Sequence, residues 1–303
     1  MSEMLTFRAR NRLPEDYVAQ MEGNMVTEKD IDIIIRGPAR ILKPDGTPLL
    51  VYLPEAISEE LKAESYPILH KLKGSYTSNR GMAAGGARVM GPSKRSYARS
   101  VDSAMIGASD PQGQRRYCRL TAWTRDSWDE WKGLWPLLYE IARNLEENVP
   151  ERYANQAKKA RQTSPEWVIP GTPFTTVTVN NTYATSVHTD KGDLHEGFST
   201  LVVFREGNYK GGWLCLPAFK IAIDMQDRDL LLMDAHEFHG NTPFDPEPAR
   251  NANGSLAEDP GFERVSIVSY FRTKMTECGT MAEEAERAQV YAENRLAAMV
   301  GGE

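Results

Sequence analysis

The side chains of this sequence best suited to chemistry gather in its C-terminal half. Of five histidines, four lie there: His188, His195, His236 and His239. In His188-Thr189-Asp190 an imidazole and a carboxylate stand two residues apart, so on a strand both project to one face and can grip one metal ion. The pair alone says little, because with 42 acidic residues in 303 a carboxylate follows a given histidine at that spacing about one time in seven. The order of the downstream residues says more. Past the apolar run 230–233 come His236 and His239, three residues apart, of which only one can point inward from a strand. Two histidines and a carboxylate on one side of a metal leave positions open, as non-haem Fe(II) oxygenases require for a co-substrate and O₂. Arg264 and Ser266 then share one strand face at the start of the last apolar run. A planar bidentate donor with a hydroxyl beside it suits the far carboxylate of 2-oxoglutarate.

Those residues need a scaffold of short strands, and the sequence supplies the pattern. β-rich runs at 174–179, 198–204, 213–216, 219–223, 230–233 and 265–271 are separated by turn residues such as Gly207-Asn208 and Gly211-Gly212. They predict a jelly roll over 174–275. Upstream, 1–173 reads as a helical and hairpin layer, with strands at 31–35, 39–42 and 49–53 around a turn at Pro44-Asp45-Gly46, and a helix at 55–72. Trp128, Trp131, Leu134, Trp135, Leu138, Ile141 and Leu145 recur at helical spacing and predict one amphipathic helix ending near Pro150, its tryptophan stripe in the core. Between these, 71–101 carries only basic charges and is rich in Gly, Ser and Ala, which predicts a long basic loop. Residues 276–303 read as a closing surface helix. The expected fold is a single α+β domain over 1–303, with a double-stranded β-helix (jelly-roll) core and N-terminal helical and hairpin elements packed against it.

Composition sets limits. Hydrophobic residues at 41% and charged residues at 26% exclude wholesale disorder, and a formal charge of −6 excludes a chain that is basic all over. No apolar run approaches the roughly eighteen residues of a membrane span, and Arg8, Arg10 and Arg12 follow an N-terminus without a signal-peptide core, so no membrane partner is expected. The expected location is intracellular, cytoplasmic or nuclear in a eukaryote. Three cysteines without paired spacing argue against a disulfide framework and against a cysteine zinc site.

The pieces in order resemble the TET/JBP branch of the 2-oxoglutarate- and Fe(II)-dependent dioxygenases, which oxidise the 5-methyl group of pyrimidines in nucleic acid. The resemblance lies in His188-Thr189-Asp190-Lys191-Gly192-Asp193, then 198–204 and Gly211-Gly212-Trp213-Leu214-Cys215-Leu216-Pro217, then His239-Gly240-Asn241-Thr242-Pro243, then Arg264-Val265-Ser266-Ile267-Val268-Ser269-Tyr270. It implies that His188, Asp190 and His239 bind iron, with His236 structural and His195 at the surface or behind the ligands. Arg264 and Ser266 would hold 2-oxoglutarate, and Asn181 with Tyr183 is similar to the Asn-x-Tyr co-substrate contacts of AlkB-like relatives. Tyr270 would stack on the target base. Where animal TET enzymes read the base with an Asn and a His, Asp193 and Arg272 stand here, and the cysteine-rich zinc module is absent, as in minimal phage, bacterial or protist forms.

A base inside a duplex must be flipped out to reach such a site, and the strand must be gripped at its phosphates. Arg80, Arg88, Lys94, Arg95 and Arg99 of the basic loop are the candidates, with Arg115, Arg116 and Arg119 as a second cluster. The implied activity is oxidation of 5-methylcytosine in DNA, using Fe(II), 2-oxoglutarate and O₂. Thymine in DNA is the first alternative. A protein or small-molecule substrate, or a noncatalytic jelly-roll binding module, are the others.

Overall fold

The computed structural model describes residues 3–72, 101–112, 115–252 and 256–300, together with Ala83 and two short strands between residues 72 and 101. Its strands are β1 (Leu5–Arg8), β2 (Ile33–Ile35), β3 (Ala39–Leu42), β4 (Pro48–Leu53), β5 (Val89–Met90), β6 (Ser96–Tyr97), β7 (Ser103–Ser109), β8 (Arg119–Leu120) and β9 (Thr176–Asn181). They continue as β10 (Ser199–Glu206), β11 (Lys210–Gly211), β12 (Leu214–Leu216), β13 (Ile221–Ile223), β14 (Asp229–Met233), β15 (Gly240–Asn241), β16 (Phe244–Asp245) and β17 (Glu263–Tyr270). The helices are α1 (Glu15–Gln20), α2 (Glu59–His70), α3 (Ala122–Asp126), α4 (Trp128–Gly133), α5 (Trp135–Asn148), α6 (Pro150–Gln162) and α7 (Met281–Val300).

Two sheets face each other. The major one has nine strands in the order β1-β3-β4-β14-β10-β17-β9-β7-β8, and the minor one has four, β15-β12-β13-β2. Strand alternation gives the major sheet two faces. Val177, Val179, Val202, Phe204, Leu230, Leu232, Val265 and Ile267 point to the helices, where Leu69, Trp131, Leu138 and Ile141 cover them. Leu201, Val203, Leu231 and Met233 point the other way, against Leu214, Leu216, Ile221 and Ile223 of the minor sheet. Each large side chain fully buried in these layers contributes about 1.5–3 kcal/mol. This is the double-stranded β-helix of an α+β domain. Among the described residues no helix is long and apolar enough to cross a membrane.

Several expectations need correction. The sheet does not stop at residue 174: β1, β3, β4, β7 and β8 from the first half extend it at both ends. Ile33–Ile35 does not join the hairpin but crosses to the minor sheet and pairs in parallel with β13. The tryptophan helix is two helices, because Pro136 in the first turn of α5 has no N–H to continue the bonding of α4. Trp131 is core, whereas Trp128 is 45% exposed. The helix α6 beyond Pro150 was not expected. Cys118 and Cys278, 160 residues apart, form a disulfide with Cα atoms 5.9 Å apart, and only Cys215 is free. An odd cysteine count leaves room for one such bridge.

Candidate active site

His188 and His239 lie on adjacent segments at the edge of the minor sheet, His239 directly before β15. Their backbones exchange two hydrogen bonds, each 2.9 Å, in an isolated antiparallel bridge. That bridge needs Gly240, whose added Cβ would stand 2.9 Å from the Val187 amide nitrogen. The imidazole centroids are 4.4 Å apart. Each ring is oriented by a main-chain carbonyl at Nδ1: Ser186 at 2.7 Å for His188 and Glu237 at 2.9 Å for His239. Nδ1–H donates in both, which leaves each Nε2 with its lone pair free. Both Nε2 atoms lie 3.7 Å from Asp190 carboxylate oxygens, one from each. The three donors lie within 4.8 Å of one another, a set that could hold a metal ion. Burial, with the adjacent His188, holds His239 down to about 4, so it is the neutral ligand form at neutral pH.

Arg264 and Ser266 sit on the inner face of β17 and line the same cavity of about 420 Å³ as the three donors. Arg264 is 3% exposed, and its Nη2 has no hydrogen-bond partner among the described residues. Burial pulls its guanidinium below its ordinary value. A buried cation with an unused donor is a fit for an anionic group, so the residues present suit a dicarboxylate co-substrate chelating at the triad. Tyr183 lines the cavity, and its hydroxyl donates to the Ala83 carbonyl. Asn181 does not line it. Strand alternation turns Asn181 to the helix side of the sheet, where its Nδ2 donates to Glu263 at 3.0 Å, and it is Asn180 that faces the cavity.

The other end of the cavity is polar. Asp193 is 6% exposed and accepts from the Ser199 hydroxyl at 2.7 Å. Burial pushes its carboxyl well above the ordinary value, and the charge of Asp190 adds to this, against Ser199 and Arg272. Arg272 reaches Asp110 from two nitrogens, at 3.3 and 3.2 Å, and stays above its ordinary value despite burial, with Tyr270 and Asp110 opposing that loss. Gly192 makes room for it, since a Cβ there would meet the guanidinium at 2.5 Å. The hydroxyl of Tyr270 bonds Thr178 at 2.9 Å, which fixes the ring in the cavity wall. Sequence reasoning missed Asn180, Asp110, Ser199 and Gln112, which also lines the cavity. The alternation of Thr178 and Asn180 was available as a signal for the first of these; the others depend on tertiary placement.

His236 points away from the triad, its Nδ1 3.2 Å from Asp234 and its Nε2 3.2 Å from the Asp193 carbonyl oxygen. His195 packs against it with ring centroids 4.8 Å apart. Of the basic candidates, Arg80, Arg88, Lys94, Arg95 and Arg99 lie outside the described residues. Arg115 and Arg116 are exposed, and Arg119 is half-buried against the Tyr117 ring.

A jelly roll with two histidines and a carboxylate at one end of its strands, and a buried arginine deeper in the same cavity, defines the 2-oxoglutarate- and iron-dependent class of oxygenase. Residues 107–273 match the Tet_JBP family, the oxygenase domain of the 2OGFeDO superfamily, and the chain belongs to that family. It is 35% identical over 191 residues to the bifunctional helicase and thymine dioxygenase JBP2 of Trypanosoma brucei brucei, covering 62% of this chain and 16% of that protein. It is 31% identical over 172 residues to the thymine dioxygenase JBP1 of Leishmania braziliensis, covering 56% of this chain and 19% of that one. The chain thus spans about a fifth or less of the length of these curated relatives. The solved structure of NgTET1 in complex with 5mC DNA shares the fold, with a TM-score of 0.57 at 13% identity over 87% of this chain and 93% of that one.

Proposed function

We propose that the chain oxidises the 5-methyl group of a pyrimidine in DNA, using Fe(II), 2-oxoglutarate and O₂. One observation carries this reading: a single cavity of about 420 Å³ holds the His188, Asp190 and His239 donors, the buried Arg264 guanidinium and the polar wall of Asp193, Ser199 and Arg272. When bound, the metal and co-substrate supply the oxidant for hydroxylating a methyl carbon. The protein's part is positioning. Arg264 and Ser266 hold the far carboxylate, Tyr270 offers its ring to a flipped base, and Asp193 accepts a hydrogen bond from the base edge. Arg272, braced by Asp110, donates to a carbonyl oxygen. Closing a base into this cavity also removes water from the reacting carbon.

The base is read as 5-methylcytosine, whose exocyclic amino group would donate to Asp193. Thymine is the second reading, through its N3–H to the same carboxylate, and the names of the trypanosomatid relatives favour it. The test is mass spectrometry of nucleosides after incubating the protein with Fe(II), 2-oxoglutarate, ascorbate and DNA containing both bases. Oxidised 5-methylcytosine is expected, and 5-hydroxymethyluracil selects thymine. Succinate formation that DNA leaves unchanged, with no altered nucleoside, overturns the DNA reading; no succinate under any condition overturns the oxygenase reading.

A further inference from the structure

One titratable cluster stands behind the cavity rather than in it. His236 follows β14, and its ring lies between two groups that can only accept: the Asp234 carboxylate, 3.2 Å from Nδ1, and the Asp193 carbonyl oxygen, 3.2 Å from Nε2. A neutral imidazole carries one N–H, so it would satisfy one of these and turn a lone pair towards the other. Only the imidazolium donates to both. Its surroundings favour that form: the bond to Asp234 raises the His236 value, against burial, and the Asp193 carboxyl adds to the rise. The other charges about the pair balance one another. Lys43 Nζ lies 2.9 Å from Asp234 and 2.6 Å from Glu237, while Arg152 stands 3.8 Å from Asp234 and donates to the His195 carbonyl at 3.0 Å. The His195 ring meets His236 edge-on at 4.8 Å.

The far end of this relay is the residue whose carboxylate forms the polar wall of the cavity. The Asp193 carbonyl accepts from His236 and from the Thr273 hydroxyl at 3.0 Å, using both lone pairs, and its backbone bridges to Arg272. Carbonyl and side chain belong to one residue, so a shift of the first swings the second. As His236 loses its proton, the remaining N–H stays with the carboxylate, the stronger acceptor. Nε2 then presents a lone pair to the Asp193 oxygen, and that contact turns from attraction to repulsion.

We propose that His236, as an imidazolium, is a positioning residue for the DNA substrate: its Nε2–H holds the Asp193 carbonyl and so fixes the direction in which the Asp193 carboxylate meets the base. This rests on the base-contacting role given to Asp193 above and adds to it a residue that touches neither base nor metal. Holding the carboxylate in place before the base arrives reduces the ordering needed on binding.

The experiment measures oxidised nucleosides against the concentration of a duplex oligonucleotide containing thymine and 5-methylcytosine, for wild type, His236→Gln and His236→Asn, at pH values on each side of 6.5. Calorimetry gives the Mn(II) and 2-oxoglutarate affinities of the same proteins. Gln carries an N–H where His has Nε2, and Asn carries one only where His has Nδ1, so Gln alone can still reach the Asp193 carbonyl. One lost hydrogen bond implies that Asn raises the KM for DNA about three- to tenfold, with Mn(II) and 2-oxoglutarate affinities unchanged. Gln should stay within about twofold of the acid-side wild type at every pH. Wild type should pass from the Gln value to the Asn value as pH rises. An equal rise in both variants, or a rise in neither, overturns the inference and leaves the DNA reading standing. Weakened Mn(II) binding in Asn also overturns it, because the defect then lies at the metal donors. Should Asn fail to fold, wild type against Gln decides, and parallel pH profiles overturn the inference. Wild type that forms succinate without any oxidised nucleoside removes the DNA reading and the inference with it.

Discussion

Replacing Asp190 by Ala should separate metal binding from folding. The carboxylate is one of the three donors, its side chain is 34% exposed, and the backbone bond from its amide to the Ala235 carbonyl survives the change. It also stands close enough to raise the carboxyl of buried Asp193. The metal-free variant should therefore unfold within about 0.5 kcal/mol of wild type, as a partly exposed substitution does. Metal behaves differently. At a hundred times its dissociation constant, a ligand bound only by the native state adds about 2.7 kcal/mol. For a chain of 303 residues that raises the melting temperature by roughly 4 °C. Scanning calorimetry with and without Mn(II), with chelator as control, should show that rise in wild type and none in Asp190→Ala at the same metal concentration. An equal metal-dependent rise in both proteins, or none in wild type, would refute the donor assignment. A metal-free variant destabilised by several kcal/mol would refute the claim that this carboxylate is not needed by the fold.

Buried charge leads to two more outcomes. Asp110 is 2% exposed and holds the Arg272 guanidinium; Asp110→Ala removes the carboxylate bonded to that partly buried cation and should cost about 1–3 kcal/mol in urea denaturation, with Asp110→Asn costing less. His236 has a pKa raised above the ordinary 6.5, first by its bond to Asp234, against burial. A raised folded pKa contributes stability that is full below the ordinary value and lost as pH rises through the folded one. The urea midpoint of wild type should thus carry a component that falls across that window on the alkaline side of 6.5. Removing that component, His236→Gln should flatten the profile there, and an unchanged profile would assign the pH dependence elsewhere.

The half of the fold built from apolar, β-branched runs was legible. The runs leading to β9, β10, β14 and β17 are apolar, β-branched and bounded by turn residues, and periodicity finds such segments. β7 reads Ser-Ala-Met-Ile-Gly-Ala-Ser, small residues with one β-branched side chain, so its composition gives no strand signal. The helix α6 hid because its mean hydropathy is low and only Gln156 and Ala160 are buried. Sequence order put β2 beside β3, yet burial of Ile35 between the sheets is satisfied by β13 instead. At the site, the spacing of His188 and Asp190 on one face is a local property, readable from the chain. The one-residue difference between Asn180 and Asn181 depends on the register of β9 with β17, which no motif states. The Arg272 to Asp110 contact, 162 residues apart, and the bridge between Cys118 and Cys278 are set by topology and carry no local signature.

The mutual backbone bonds of His188 and His239 have one more consequence. The two candidate ligands, from segments 51 residues apart, are joined by main-chain groups that every residue type except proline possesses. The conformational cost of gathering them is met by folding, so metal binding need not order the chain. An ion bound by these donors would find both imidazoles already in place, and only Asp190, 34% exposed, would remain to be ordered. In this sense the candidate centre is a socket moulded into the scaffold.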